Sequence, residues 1–519
     1  MKRREFIKTG LAAGAAVGLA PTLAESWIPV HTWDGYDFGS GPKVTDRLYQ
    51  GPFGVYAPDN FHGGWCFQTT MPGKQQINCM GMGLTTYISG DLGAPVVPGE
   101  SLETTIDKLF KFSLGTKMYI RPNWRHIQKQ AGKLDFDDYW KITMDKSLEY
   151  GKRVGIRVML NNPDIHENAL PDYVLEKVPL RTLPGVWMNE TPNDPRWGQD
   201  HRQPEYNDYL IGYFEEMQNL LAEKYNGGPE IELVDTQHFG LWGEGHAWPY
   251  EGHTFPTRKD AEDVLMKLYD IQAKAWTKVP LCTNVQPDFS VVGNSAILDK
   301  SVRDCNWLRR DSILVQNECI EEMSNRPAWI ALFCEAAASG NFTSGADNDI
   351  RYDRGEVTIS HTKDMGCNYY SLWHAHGINA DKLQDFYDHK PDVLNDLSEH
   401  IGFRVRPSWI WLSGDGEGHE NLIFGMVNDG IAGVPGVLRL TVFSEDGTVN
   451  VGGCIDAGYP RPKGIREAMI TLPKGVSAAR GGLKLKMELE VKGVRYPVPV
   501  ASDDANPDGT LTIHNNNRG

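Results

Sequence analysis

Through the middle of the chain, short apolar runs alternate with longer stretches that are apolar on one face only. The short runs predict eight strands: Cys79 to Ile88, Thr116 to Arg121, Gly155 to Asn161, Ile231 to Leu241, Val279 to Thr283, Ser312 to Asn317, Ala328 to Cys334 and Cys367 to Leu372. Between them, stretches such as Asp137 to Val154 and Gln203 to Tyr225 repeat apolar positions at the three- and four-residue spacing of a helix face. Strand and helix in eightfold alternation describe an α/β fold whose parallel sheet closes on itself, a (β/α)8 TIM barrel over residues 76–404. An open doubly wound sheet would call for a glycine-rich phosphate loop after an early strand, and neither GxGxxG nor GxxxxGKS occurs.

Past Arg404 the pattern changes to short alternating runs, Leu422 to Val427, Gly436 to Phe443, Leu483 to Val491 and Val494 to Val500. Turn residues separate them, Asn428-Asp429-Gly430 and Asp446-Gly447 most clearly. Residues 405–503 are therefore expected to form an antiparallel β-sandwich that packs on the barrel. The polar tail 504–519 is expected to be disordered, and residues 25–75, rich in Gly, Pro and aromatics such as Trp27, Trp33 and Trp65, to be a loop-like N-terminal extension.

The first 24 residues change the picture of where the chain works. Arg3 and Arg4 precede an Ala/Gly-rich apolar run from Gly10 to Ala20, and Thr22-Leu23-Ala24 supplies small residues for cleavage. That order is the order of a twin-arginine signal peptide, so the expected location is periplasmic or secreted. No other stretch approaches the roughly 18 uninterrupted apolar residues of a membrane span. The formal net charge of −16 argues against nucleic acid or an anionic membrane as partner. The 8 cysteines form no CxxC or other metal-ligand spacing, and buried free thiols are expected. The 15 Trp and 20 Tyr suit platforms for sugars as well as they suit a large core.

In a (β/α)8 barrel the chemistry sits at the C-terminal ends of the strands. Those ends carry Tyr87; Arg121, Asn123 and Trp124; Asn161 and Asn162; Glu244; Asp288; Glu318; Glu335; and Trp373, His374 and His376. Glu244 stands among glycines and aromatics in Phe239-Gly240-Leu241-Trp242-Gly243-Glu244-Gly245-His246, surroundings able to raise a carboxyl pKa as a general acid requires. Glu335 ends the apolar run Trp329 to Cys334, where a charge must be paired or used, and small residues follow it. An ion pair with Arg121 is its structural alternative. Glu318, which also ends an apolar run, is a rival for either role or a binding residue.

Tyr119-Ile120-Arg121-Pro122-Asn123-Trp124, then Gly132-Lys133-Leu134-Asp135-Phe136, then Gly151-Lys152-Arg153-Val154 ahead of the third strand, resemble clan A glycoside hydrolases such as the family 42 β-galactosidases. The likeness runs over residues 80–400, with glutamates at the ends of strands four and seven. It implies a retaining O-glycosyl hydrolase acting on a glycan or oligosaccharide without a cofactor: Glu335 the nucleophile, Glu244 the acid/base, Arg121 keeping the nucleophile ionised and Trp373 flooring the sugar site. Tyr87, Asn123, Trp124, Asn161, Asn162, His246, Glu318, His374 and His376 complete the expected substrate contacts. One position departs: Gly243 stands where the clan usually has Asn, so Asn161 or Asn162 would have to meet the sugar 2-hydroxyl. Two other classes remain, a non-catalytic carbohydrate-binding barrel and a metal-dependent hydrolase built on His374 and His376 with His238, His246 or His253; the chain has no HExxH.

Overall fold

The computed structural model describes residues 64–88, 97–162, 168–178, 211–237, 241–244, 258–285, 296–313, 321, 323–336, 359–372 and 380–516. Strand β1 (Gly64–Thr69) belongs to a sheet described below. After it, eight parallel strands close into a barrel: β2 (Gly83–Ile88), β3 (Lys117–Ile120), β4 (Val154–Ile156), β5 (Ile231–Asp235), β6 (Leu281–Asn284), β7 (Trp307–Ile313), β8 (Leu332–Ala336) and β9 (Tyr369–Ser371), with β9 pairing back onto β2. The described helices are α1 (Leu102–Lys111), α2 (Asp138–Tyr150), α3 (Asp172–Leu175), α4 (Ile211–Tyr225), α5 (Arg258–Ala275), α6 (Ala296–Arg303), α7 (Ala380–His389) and α8 (Pro391–His400). The sequence places α2 well: Asp137 caps it by accepting the Trp140 N–H at 2.9 Å, and Gly151 ends it at φ 61.

Strand residues point alternately in and out, and the two sets pack into two cores. Leu84, Met118, Ile120, Ile156, Val234, Leu308 and Leu332 meet the helices. Tyr87, Tyr119, Leu233, Cys282, Trp307, Phe333 and Tyr369 fill the inside of the barrel and run on without a break into the core of the sandwich. A fully buried aliphatic or aromatic side chain of this kind contributes about 1.5–3 kcal/mol. Gly155 makes room for one of them, because a Cβ there would lie 2.9 Å from the Tyr119 ring.

The sandwich has one sheet in the order β1, β10 (Val405–Gly414), β11 (Glu420–Asn428), β14 (Ile465–Thr471) and a second in the order β13 (Asn450–Ile455), β12 (Val437–Ser444), β15 (Leu483–Val491), β16 (Val494–Val498), with β17 (Leu511–Ile513) also on β15. It sits at the N-terminal ends of the barrel strands. Asn368, just before β9, donates to the carbonyls of Gly81 and Gly433 at 3.1 and 3.3 Å, and the Arg153 guanidinium, just before β4, lies 5.1 Å from the Tyr496 ring centroid. The sandwich thus plugs the end of the barrel opposite the one where chemistry is expected.

Four sequence expectations change. The sixth barrel strand is β7, Trp307–Ile313, and not Ser312 to Asn317: its middle carries Arg309, Arg310 and Asp311, and two of those charges are paired inside the barrel. Residues 64–69 of the expected extension form β1, which pairs antiparallel with β10. The expected disordered tail contains β17, whose Leu511 and Ile513 are both fully buried. Of the cysteines expected to be buried, Cys305 and Cys454 are exposed. Among the described residues no helix is long and apolar enough to cross a membrane.

Candidate active site

Beyond the aromatic layer, the C-terminal half of the barrel interior is charged. Arg121 follows β3 directly and lies on that layer, 5.4 Å from the Tyr87 ring centroid and 5.5 Å from that of Tyr119. Its Nη2 reaches Glu335 Oε1 at 3.2 Å and Oε2 at 3.3 Å, and its Nη1 lies 3.8 Å from Glu244 Oε1. One guanidinium therefore touches both of the glutamates singled out in the sequence. Glu335, on β8, also accepts a close hydrogen bond from Arg309 Nη2. Arg309 rests over Phe333 and Tyr119 at 4.7 and 5.0 Å, so each arginine gains a cation–π face as well as an ion pair.

A second set of charges braces the first. Asp235, at the end of β5, accepts from Arg157 Nε at 3.0 Å, from Arg157 Nη2 at 2.7 Å and from the Tyr119 hydroxyl. Asp311 receives Arg309 Nε at 2.5 Å and Arg157 Nη2 at 3.4 Å. Arg157 then extends Nη1 to the Trp242 carbonyl at 3.1 Å and to Glu244 Oε1 at 3.5 Å. Side-chain exposure grades across the carboxyls, 0 % for Asp235, 3 % for Asp311, 5 % for Glu335 and 13 % for Glu244.

The backbone that presents Glu244 is strained. Trp242 has φ 54 and Gly243 φ 73, two left-handed residues in succession. Only a residue tolerant of that region fits easily at 243, which accounts for glycine there. Trp242 is held from both sides: its N–H donates to the Asn161 carbonyl at 3.0 Å and its own carbonyl accepts from Arg157. A strained non-glycine residue over-determined by its surroundings is a feature of functional sites.

Electrostatics follow from this packing. Burial pushes the Glu335 carboxyl above its ordinary pKa, while the positive charges of Arg309 and Arg121 pull it back. For Asp311 burial acts in the same direction, but Arg309, Arg157 and Arg121, with a side-chain hydrogen bond from Glu244, outweigh it and hold the carboxyl far below the usual range. Removing one partner from such a cage leaves a buried charge uncompensated, at about 3–5 kcal/mol. Asp235→Ala is therefore expected to lower the urea-unfolding free energy by about that amount; a loss below about 1 kcal/mol, the value of an exposed pair, would mean that the cage is not a buried ion-paired unit.

The other sequence-predicted residues divide. Tyr87 is buried beneath Arg121 and stacks on Tyr119 with centroids 5.4 Å apart. Asn162 donates to Asn123 Oδ1 at 2.9 Å, and the Asn161 carbonyl holds Trp242, so these asparagines knit the loops after β3 and β4 to the loop of Glu244. Trp124 is corrected: it has no exposed surface, packs edge-on against Phe214 and donates its indole N–H to Gln128 at 2.9 Å, so it is part of the packing between barrel and helices and not a sugar contact. His238, His246, His253, Asp288, Glu318, Trp373, His374 and His376 lie outside the described residues. Arg157, Asp235, Arg309 and Asp311 were missed. Their signal was present as charged residues two apart, Arg309 and Asp311, on the face that Trp307 begins.

No protein-family model and no curated protein matches the chain. Among solved structures it is similar to endo-glycoceramidase II from Rhodococcus sp. in its lactosyl-enzyme intermediate, with 10 % identity and TM-score 0.42 over 76 % of this chain and 98 % of that one. It is likewise similar to the catalytic domain of β-amylase from Paenibacillus polymyxa, with 10 % identity and TM-score 0.39 over 60 % of this chain and 99 % of that one.

Proposed function

We propose that the chain is an exported retaining glycoside hydrolase acting on a glycan or oligosaccharide, with Glu335 as nucleophile and Glu244 as acid/base. The observation that carries this reading is the single guanidinium of Arg121 in contact with both carboxyls. In the first step a Glu335 oxygen attacks the anomeric carbon as the glycosidic oxygen leaves with the Glu244 proton; in the second, water attacks that carbon, gives its proton to Glu244 and releases Glu335. Three guanidiniums, of Arg121, Arg157 and Arg309, face four carboxyls, of Asp235, Glu244, Asp311 and Glu335, among the described residues. Glu244 is the most exposed of the four, which suits it to meet the leaving oxygen. Export rests on the twin-arginine pattern of the first 24 residues.

Release of nitrophenol from a panel of 4-nitrophenyl glycosides tests the activity, and its pH profile tests the roles. Glu335 has to be ionised to attack, so kcat/KM falls as the pH drops through its pKa. Arg309 lowers that pKa, and Arg309→Gln removes the lowering, so the acid limb is expected to move to higher pH. An unmoved acid limb would assign it to another group, and hydrolysis of none of the glycosides would favour a barrel that binds carbohydrate without cleaving it.

A further inference from the structure

The seam between the end of α8 and the first sheet of the sandwich forms a solvent-open cavity of about 590 Å³, within the roughly 300–1,000 Å³ of small-molecule sites. Its wall carries four cationic side chains, Lys74, Arg404, Arg406 and Lys463, against two carboxylates, Glu399 and Asp429. Both carboxylates are already taken, Glu399 by Lys74 at 3.7 Å and Asp429 by Arg406 at 2.7 Å. Arg404 and Lys463 are left with no carboxylate in ion-pair reach among the described residues. On a chain with a formal charge of −16, this is a local excess of positive charge.

The two unmatched cations differ in kind. Arg404 is only 2 % exposed; its Nη2 donates to the carbonyls of Gly73 and Gln75, both at 2.8 Å, and its Nη1 has no hydrogen-bond partner. A buried guanidinium nitrogen with no acceptor is unfavourable; Asp429 and Glu399 act on Arg404 only from beyond ion-pair reach, and an anion brought into the cavity would add to their field. Lys463 is exposed at the rim, with φ 58 in a turn where glycine would be unstrained. A lysine kept in that conformation sets a charge at the cavity mouth at the expense of stability.

We propose that this cavity binds the carboxylate or sulfate group of an acidic saccharide, with Arg404 behind it and Lys463 at the rim. A free inorganic ion would leave most of the 590 Å³ empty, whereas a sugar ring bearing the anion fits the volume. The site lies against the sandwich, on the side of the barrel away from Glu335 and Glu244, so binding there does not compete with hydrolysis at the mouth.

Calorimetric titration of the full chain with glucuronate, glucose and sodium sulfate tests the assignment. Glucuronate is expected to bind with an affinity that falls as salt rises, and glucose is not. Lys463→Gly is expected to weaken glucuronate binding by about tenfold or more, as loss of a charge-assisted hydrogen bond does, while raising Tm because the left-handed residue is relieved. Lys463→Gln should weaken binding to the same degree without raising Tm, and Lys382→Gln, on exposed α7, should change neither. Glucuronate binding that is absent, or indifferent to both Lys463 variants, overturns the proposal. Sulfate alone binding as tightly as glucuronate overturns the saccharide and leaves an ion site.

Discussion

Glu335→Gly is expected to lower kcat on an aryl glycoside by about five to six orders of magnitude, the scale on which loss of a covalent nucleophile is felt. The same variant should regain part of its turnover with added azide or formate. The reason lies in the geometry: glycine empties the space between the Arg121 and Arg309 guanidiniums, which otherwise hold the Glu335 carboxylate at 3.2 Å and in a close hydrogen bond. A small anion is drawn to those two charges and can attack the anomeric carbon from the face that Glu335 occupied. Because it attacks an intact glycoside once, its product has inverted configuration. Loss of activity without rescue by any anion would leave Glu335 as an ion-pair partner of Arg121 and nothing more.

Glu244→Ala is expected to discriminate between leaving groups. Proton donation by a positioned acid is worth about 10² to 10⁴ in rate, but only where the departing oxygen needs the proton. Turnover of a dinitrophenyl glycoside, whose leaving group departs as a stable anion, should fall little in the first step. A natural disaccharide should lose the full factor. Arg157 and Arg121 lie 3.5 and 3.8 Å from the Glu244 carboxyl, so the alanine variant also leaves those guanidiniums one partner short, and its stability should be measured beside its rate. An equal loss on both substrates would move Glu244 from proton transfer to the positioning of Arg157.

Much of the barrel was legible because most of its strands are short apolar runs between turn residues: Leu332 to Cys334 is an example, buried on both faces as parallel strands are. β7 was not, because the rule that charge marks a loop fails inside a barrel that pairs its charges. Arg309 and Asp311 lie in mid-strand, and only their two-residue spacing distinguishes them from loop residues. β17 escaped for a different reason: three residues, Leu511-Thr512-Ile513, set in a polar tail give too little pattern, and their burial is decided by Leu483 and Leu485 of β15, far away in sequence. Glu335 and Arg121 could be picked out as polar residues at the ends of apolar runs. Their pairing could be named as well, but not the second contact of Arg121, to Glu244, nor the part Arg309 takes, since both depend on the closure that brings β3, β7 and β8 together around one interior. Nor could the added structural contacts of Asn161 and Asn162, whose backbone carbonyl and side-chain amide respectively hold Trp242 and Asn123.

Retention requires that Glu335 form a bond to the sugar, and the configuration of the first product reports that step directly. Proton NMR of an aryl glycoside undergoing hydrolysis, read before mutarotation, is expected to show the free sugar released with the anomeric configuration of the substrate, the net result of two inversions. A first product of inverted configuration would contradict it, because water would then attack directly from between carboxyls about 6.5–9.5 Å apart, and Glu335 would be a base and not a nucleophile.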